Sequence, residues 1–204
     1  MSSSTVVAVV DYGMGNLASV THSLRSLGYR VRVSNEIEVL NSANLLVLPG
    51  VGAFPAAMQS LYANDLVTYL QKQASQGQAI IGICLGMQLL ANASYEHGYT
   101  EGLGIIPGEF VQFPDSRCHI GWNTLECSRE DALLQESNGQ PFYFNHSFMF
   151  SGADQYIRCI SYNSGPFPAV IHNDRVIGLQ FHPEKSQTAG KVLLKNVISG
   201  LLHA

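Results

Sequence analysis

The stretch Gly82-Ile83-Cys84-Leu85-Gly86-Met87-Gln88 leaves the backbone few paths to follow. Ala79-Ile80-Ile81 ahead of it is an apolar strand bounded by Gly77, and Met87 to Ala93 behind it is a helix-forming segment. Cys84 therefore stands where a buried strand bends sharply into a helix, with Gly82 and Gly86 on either side. This is the nucleophile-elbow pattern with sulfur in place of oxygen. The flanking residues must be small because strand and helix pass close together. A helix start offers free N–H groups and a partial positive charge, and both favour an anionic sulfur, the reactive form. A cysteine in isolation reads equally well as a small buried hydrophobe, so the rest of the chain has to decide.

The first half alternates strand and helix. Thr5 to Val10 is an apolar, β-favouring run suited to a strand buried on both faces. Arg30 to Ser34, Leu45 to Leu48 and Ala79 to Ile83 follow as strands. Leu17, Val20, Leu24 and Leu27 recur at helical spacing and stop at Gly28, and Ala56 to Tyr62 and Asp65 to Gln76 fill the later gaps as helices. This rhythm implies a parallel sheet with helices on both faces, and in such sheets ligands sit beyond the C-terminal ends of the strands. The loops to watch are then 11–16, 49–55 and 84–88. In the first, Gly13-x-Gly15-x-x-Ala18 with Glu36 downstream looks like a dinucleotide fingerprint. Asp11 and Tyr12 separate the strand from those glycines, however, and the acid is not cleanly at a strand end, so a loop opening a helix is the better reading. In the second loop, Pro49-Gly50-Val51-Gly52-Ala53-Phe54, two glycines permit a peptide flip and a close approach of backbone N–H groups to a ligand. If the third and fourth strands are neighbours, the N–H near Val51 and that of Leu85 can together stabilise an oxyanion. Gln88 lies one helical turn after Cys84 on the same face.

The second half is richer in strands: Glu109 to Phe113, Phe142 to Phe150, Gln155 to Tyr162, Ala169 to Asn173 and Val176 to Phe181, with a hairpin turn at Asn173-Asp174. Ser186 to Leu202 closes the chain as an amphipathic helix. The fold class is therefore α/β, a central, mostly parallel sheet flanked by helices with additional antiparallel strands in the second half, in one domain over 1–204. Its telling element is Phe181-His182-Pro183-Glu184. His182 and Glu184 are two apart and share one face of an extended segment, and Pro183 between them fixes the backbone. A carboxylate beside an imidazole orients the ring, which can then exchange a proton with a nearby sulfur. His22, His97, His119, His172 and His203 lack such a partner in sequence and read as surface or structural.

Several function classes are disfavoured. A net charge of −4 with no basic cluster argues against nucleic acid. No apolar run is long enough for a membrane span, and Met1-Ser2-Ser3-Ser4-Thr5 does not resemble a signal peptide, so the expected location is the cytoplasm. Cys84, Cys118, Cys127 and Cys159 form no C-x-x-C pair, so no metal site is expected, and all four read as free thiols in a reducing compartment.

Taken together, the cysteine elbow and Phe181-His182-Pro183-Glu184 resemble the class I, triad-type glutamine amidotransferases. Asp11-Tyr12-Gly13-Met14-Gly15-Asn16, the 49–54 loop, Gly102-Leu103-Gly104, His119-Ile120-Gly121-Trp122-Asn123 and His182-Pro183-Glu184-Lys185-Ser186 are similar to the glutaminase subunits of imidazole glycerol phosphate synthase in that family. The resemblance spans the whole chain and implies a flavodoxin-like sheet and no cofactor. It implies that Cys84 attacks the side-chain amide of L-glutamine, that His182 handles the proton and that Glu184 holds His182. Gly50, Gly52, Gln88 and the backbone around Ser147 and Phe148 would bind glutamine. Ammonia would pass to a (βα)8-barrel cyclase of histidine biosynthesis, forming a heterodimer in which Asn16, Trp122, Tyr143 and Lys185 face the partner. The sequence departs from the family pattern at Cys118, where proline is usual, at Asn145, where an aliphatic residue is usual, and at Phe148, where tyrosine is usual. All three are expected near the partner face and away from the triad. Three alternatives stay open: a glutaminase serving a surface-polysaccharide sugar amidotransferase, a cysteine esterase or peptidase, and a non-catalytic interaction subunit.

Overall fold

The apolar runs of the first half form β1 (Val6–Val10), β2 (Arg30–Ser34), β3 (Leu45–Leu48) and β4 (Ala79–Ile83). Between them lie α1 (Leu17–Ser26), α2 (Ile37–Asn41), α3 (Phe54–Ala63) and α4 (Leu66–Ser75), and α5 (Leu85–Leu89) follows β4. The second half contributes β5 (Ala93–Ser94), β6 (Thr100–Glu101), β7 (Glu109–Gln112), β8 (His119–Thr124), β9 (Glu126–Cys127), β10 (Pro141–His146), β11 (Phe148–Ser151), β12 (Ile157–Tyr162), β13 (Pro166–Asn173) and β14 (Val176–Leu179). The chain ends in α6 (Gln187–His203). The computed structural model describes residues 5–114, 118–127 and 131–203.

One sheet of eight strands runs in the order β2-β1-β3-β4-β14-β13-β12-β9. Its first five strands are parallel and its last three are added antiparallel. Because successive strand residues point to opposite faces, the apolar runs feed two cores. Ala8, Val10, Leu46, Leu48 and Ile80 pack with Met58 and Leu61 of α3 and Leu66 and Leu70 of α4. Val7, Val9, Leu45, Val47 and Ile81 pack on the other side with Val20 and Leu24 of α1 and Leu193 and Val197 of α6. Each buried Val, Leu, Ile or Met side chain contributes about 1.5–3 kcal/mol, so the central strands hold the loops at their C-terminal ends on a rigid base. Two smaller sheets, β10-β8 and β11-β7-β5-β6, stand beside the main one.

Several elements differ from the sequence reading. The helix after Cys84 ends at Leu89 instead of reaching Ala93, because Asn92 N–H turns away to the Gly108 carbonyl and Ala93 joins a strand. The run Phe142 to Phe150 is two strands broken at Ser147, which pair with different partners. Residues Asp154–Tyr156 form a short 3-10 turn before β12. His119–Thr124, met in sequence only as a motif, is the strand paired with β10. The reading of four free thiols is also corrected: Cys127 and Cys159 are directly opposite in the β9–β12 pair and form a disulfide, leaving Cys84 and Cys118 free. Antiparallel register brings together two residues 32 apart in sequence, which spacing alone cannot reveal. Among the described residues, no helix is long and apolar enough to cross a membrane, and no group of His, Cys, Asp and Glu gathers as metal ligands.

Candidate active site

The 11–16, 49–52 and 84–88 loops follow β1, β3 and β4, and His182 follows β14, all leaving the sheet at the same end. The sharp bend at Cys84 is real: its backbone has φ 55° and ψ −110°, a region costing a non-glycine residue about 1–3 kcal/mol. It is held there by the Cys84 N–H bond to the Leu179 carbonyl at 2.7 Å and by the Met87 N–H bond to the Cys84 carbonyl at 3.0 Å. The flanking glycines are demanded by contact. A Cβ on Gly86 would stand 1.8 Å from the Leu48 carbonyl oxygen, and one on Gly82 would stand 2.6 Å from the Gly86 carbonyl oxygen. Since β3 and β4 are adjacent, with Leu48 opposite Gly82, the 49–52 loop lies next to the elbow as the sequence suggested.

Cys84 opens into a cavity of about 220 Å³ lined also by Val51, Gly52, Leu85, Gln88, Glu96, Asn145, His146, Ser147, Phe148 and His182. The imidazole of His182 faces the same cavity as Cys84, and its Nδ1–H donates to Glu184 Oε1 at 2.8 Å. Cys84 and His182 are 5% and 3% exposed, and the Glu184 side chain is 1% exposed, so these interactions are shielded from solvent. Burial by itself pushes the His182 imidazole down. The hydrogen bonds to Cys84 and Glu184 and their charges outweigh it and raise the ring to about 9. The protonated ring is therefore the form favoured at neutral pH, and a cation beside the sulfur stabilises negative charge there.

The cavity sorts the remaining sequence candidates. Leu85 is the first residue of α5, so its N–H has no intrahelical acceptor. Val51 and Gly52 form the facing rim, and Gln88, Ser147 and Phe148 lie on the walls. Gly50 does not line the cavity. It is buried behind Val51, where a Cβ would meet Tyr12 Oη at 2.7 Å, Leu85 Cβ at 2.8 Å and the Gly86 nitrogen at 2.9 Å. Trp122, Tyr143 and Lys185 form a cluster next to His182. Trp122 lies edge-on to Tyr143 at 6.0 Å, Lys185 Nζ lies 5.6 Å above the same ring, and that ring is 6.4 Å from His182. Asn16 caps α1, its side chain accepting from Ser19 N–H at 3.2 Å.

Asn145 is a correction. Far from standing clear of Cys84, it lines the cavity, and its carbonyl accepts from Cys84 Sγ at 3.7 Å. Two lining residues escaped the sequence reading. Glu96 is a carboxylate on the wall, its Oε2 accepting from Phe54 N–H at 2.7 Å. His146 is buried among Phe113, Phe144, Phe167 and His119. Its Nδ1–H donates to the Phe148 carbonyl at 2.8 Å, pinning the 147–148 turn. Burial pushes its pKa down to about 3, so it is neutral. The signal for His146 was its alternation with Phe142 and Phe144 on one strand face; Glu96 had none.

Comparison with known proteins gives a consistent picture. Residues 8–199 match the family model described as glutamine amidotransferase class-I. Curated relatives described as imidazole glycerol phosphate synthase subunit HisH include one from Aquifex aeolicus, 44% identical over 92% of this chain and 93% of its own length. Those from Bacillus licheniformis and Streptococcus gordonii are 42% and 40% identical, each over 93% of this chain and 94% of its own length. Among solved structures, PurLQS from Thermotoga maritima superposes with a TM-score of 0.77 at 20% identity, covering 97% of this chain and 99% of that one. A glutamine amidotransferase from the same organism gives 0.70 at 14% identity, covering 98% and 99%. At those identities the likeness speaks for the fold, whereas the family match and the HisH relatives speak for descent. The chain belongs to the class I glutamine amidotransferase family, in the branch of the imidazole glycerol phosphate synthase subunits HisH, and is an amidotransferase with a cysteine nucleophile.

Proposed function

We propose that this chain is the glutaminase subunit of an imidazole glycerol phosphate synthase. It hydrolyses L-glutamine through Cys84, His182 and Glu184 and hands the ammonia to a (βα)8-barrel cyclase in histidine biosynthesis. The observation that carries this reading is the hydrogen bond from His182 to Glu184, with Cys84 and His182 facing the same cavity, which Val51 and Gly52 also line. Sγ of Cys84 attacks the side-chain amide carbon of glutamine. The oxyanion is held by the N–H of Leu85 and, once the strand is aimed inward, by that of Val51. His182 gives its proton to the departing nitrogen and ammonia leaves. The thioester is then opened by water whose proton His182 takes, releasing glutamate and restoring the sulfur anion beside the protonated ring. Glu96 supplies a negative wall suited to the substrate's ammonium, and Gln88 and the 147–148 backbone fix the rest of the chain.

The partner surface is read from exposure. On β8, Trp122 is 49% and Ile120 64% exposed, next to Tyr143 and Lys185 and so next to the triad. Large apolar side chains left in solvent beside an active site mark a docking face. Glutamate release should be slow in the isolated chain and rise when the loaded barrel cyclase is added. Equal turnover with and without the cyclase would overturn the coupling. Trp122→Ala should weaken association with the cyclase at least roughly tenfold while leaving the melting temperature nearly unchanged, as read by titration and thermal unfolding.

A further inference from the structure

Tyr12 enters no step of the reaction above, yet it is packed against the loop whose Val51 N–H that reaction would use. It follows β1 and is 1% exposed. Its hydroxyl donates to the carbonyl of Pro49 at 2.8 Å, the first residue of the Pro49-Gly50-Val51-Gly52 stretch. Its own carbonyl accepts from Ser60 Oγ of α3, so the residue is held at both ends. Burial, and then the neighbouring Cys84, push the phenol upward from its ordinary value, so it stays protonated and can only donate to that carbonyl. The same hydroxyl closes one side of Gly50, while Leu85 and Gly86 close the other. Immediately beyond, the confinement ends: Val51 is 41% exposed, and Gly52 has φ +105°.

We infer that Tyr12 is a positioning residue of the glutaminase site: its hydroxyl pins the Pro49–Gly50 peptide, so that reorientation of the oxyanion strand begins only at the following Gly50–Val51 peptide. The inference rests on reading 49–52 as the oxyanion strand. The physical reason is a boundary in hydrogen bonding. Pro49 and Gly50 are buried, and turning their shared peptide over would strip a buried carbonyl of its donor, which is costly. The next peptide, which carries the Val51 N–H, has no such anchor in the phenol. A fixed peptide on one side and a mobile one on the other make a hinge with a defined pivot, and a defined pivot aims the N–H at one place.

Tyr12→Phe removes only the hydroxyl and keeps the packed ring. Two readings test it. Amide hydrogen exchange across 49–52, measured on the chain by NMR, should quicken by about tenfold, while exchange across 145–148 stays unchanged. In the complex with the loaded cyclase, kcat for glutamine should fall by about tenfold with KM within about twofold, because the pocket walls are untouched. The melting temperature reports that the fold is retained. Unchanged exchange across 49–52 would overturn the anchor, as would unchanged kcat or a rise in KM matching the fall in kcat. Failure of the functional reading looks different: a wild-type complex with no Cys84-dependent glutamate release defeats that reading, and the exchange comparison still decides the anchor.

Discussion

Cys84→Ala is expected to abolish glutamine hydrolysis, lowering kcat by about 10⁶-fold, as loss of a nucleophile that acts as one unit with its base does. Among the described residues no other thiol lines the cavity, and a methyl group can neither attack the amide nor carry the acyl group. The fold should survive, since alanine is no larger than cysteine and the elbow is held by backbone bonds to Leu179 and Met87. A second signature is specific to the mechanism. The Cys84 side chain is one of the partners that raise His182 against the opposing pull of burial, so removing it should move the His182 titration downward in an NMR pH series. Glutamate release within tenfold of wild type, with the titration of His182 unmoved, would take the sulfur out of the chemistry.

What could be read in the sequence was what is local. The elbow is a strand, a tight turn and a helix within eleven positions, and the His182-Pro183-Glu184 stretch lies within three; both are patterns of side-chain type and spacing. The parallel half of the sheet was legible for the same reason, because strands buried on both faces are written as unbroken apolar runs such as Val6–Val10 and Leu45–Leu48. The contacts that were missed are made by backbone or by register. The carbonyl of Asn145 meets Cys84 across 61 positions, and a carbonyl has no sequence signature, so Asn145 was judged by its side chain and placed wrongly. The break at Ser147 arises because β10 and β11 answer to different partner strands, although 142–150 reads as one β-favouring stretch. Glu96 reaches the site by accepting from the first residue of α3, which requires knowing where that helix begins in space. The Tyr12 phenol meets Pro49 only because β1 and β3 are neighbours.

The packing that makes the elbow possible yields the other large effect. Gly86→Ala should destabilise the protein by about 3 kcal/mol or more, the upper end of what overpacking costs. The added Cβ would lie 1.8 Å from the Leu48 carbonyl oxygen and 2.8 Å from its carbon. Both are backbone atoms at the end of β3, so no rotamer change can clear the clash. Either the β3–β4 pair parts at Leu48 and Gly82 or α5 is driven off the sheet. In both cases Cys84 moves relative to His182, which is fixed from β14, and a displacement of about 1 Å can cost on the order of 100-fold in rate. Stability and catalysis should therefore fall together, read as a urea midpoint and a rate of glutamate release. Gly165→Ala is the matched control, since a Cβ there meets nothing within 4 Å, and it should stay within about 0.5 kcal/mol of wild type. If Gly86→Ala unfolds at the wild-type midpoint and turns over at the wild-type rate, the elbow is not seated against β3, and the placement of the nucleophile needs another cause.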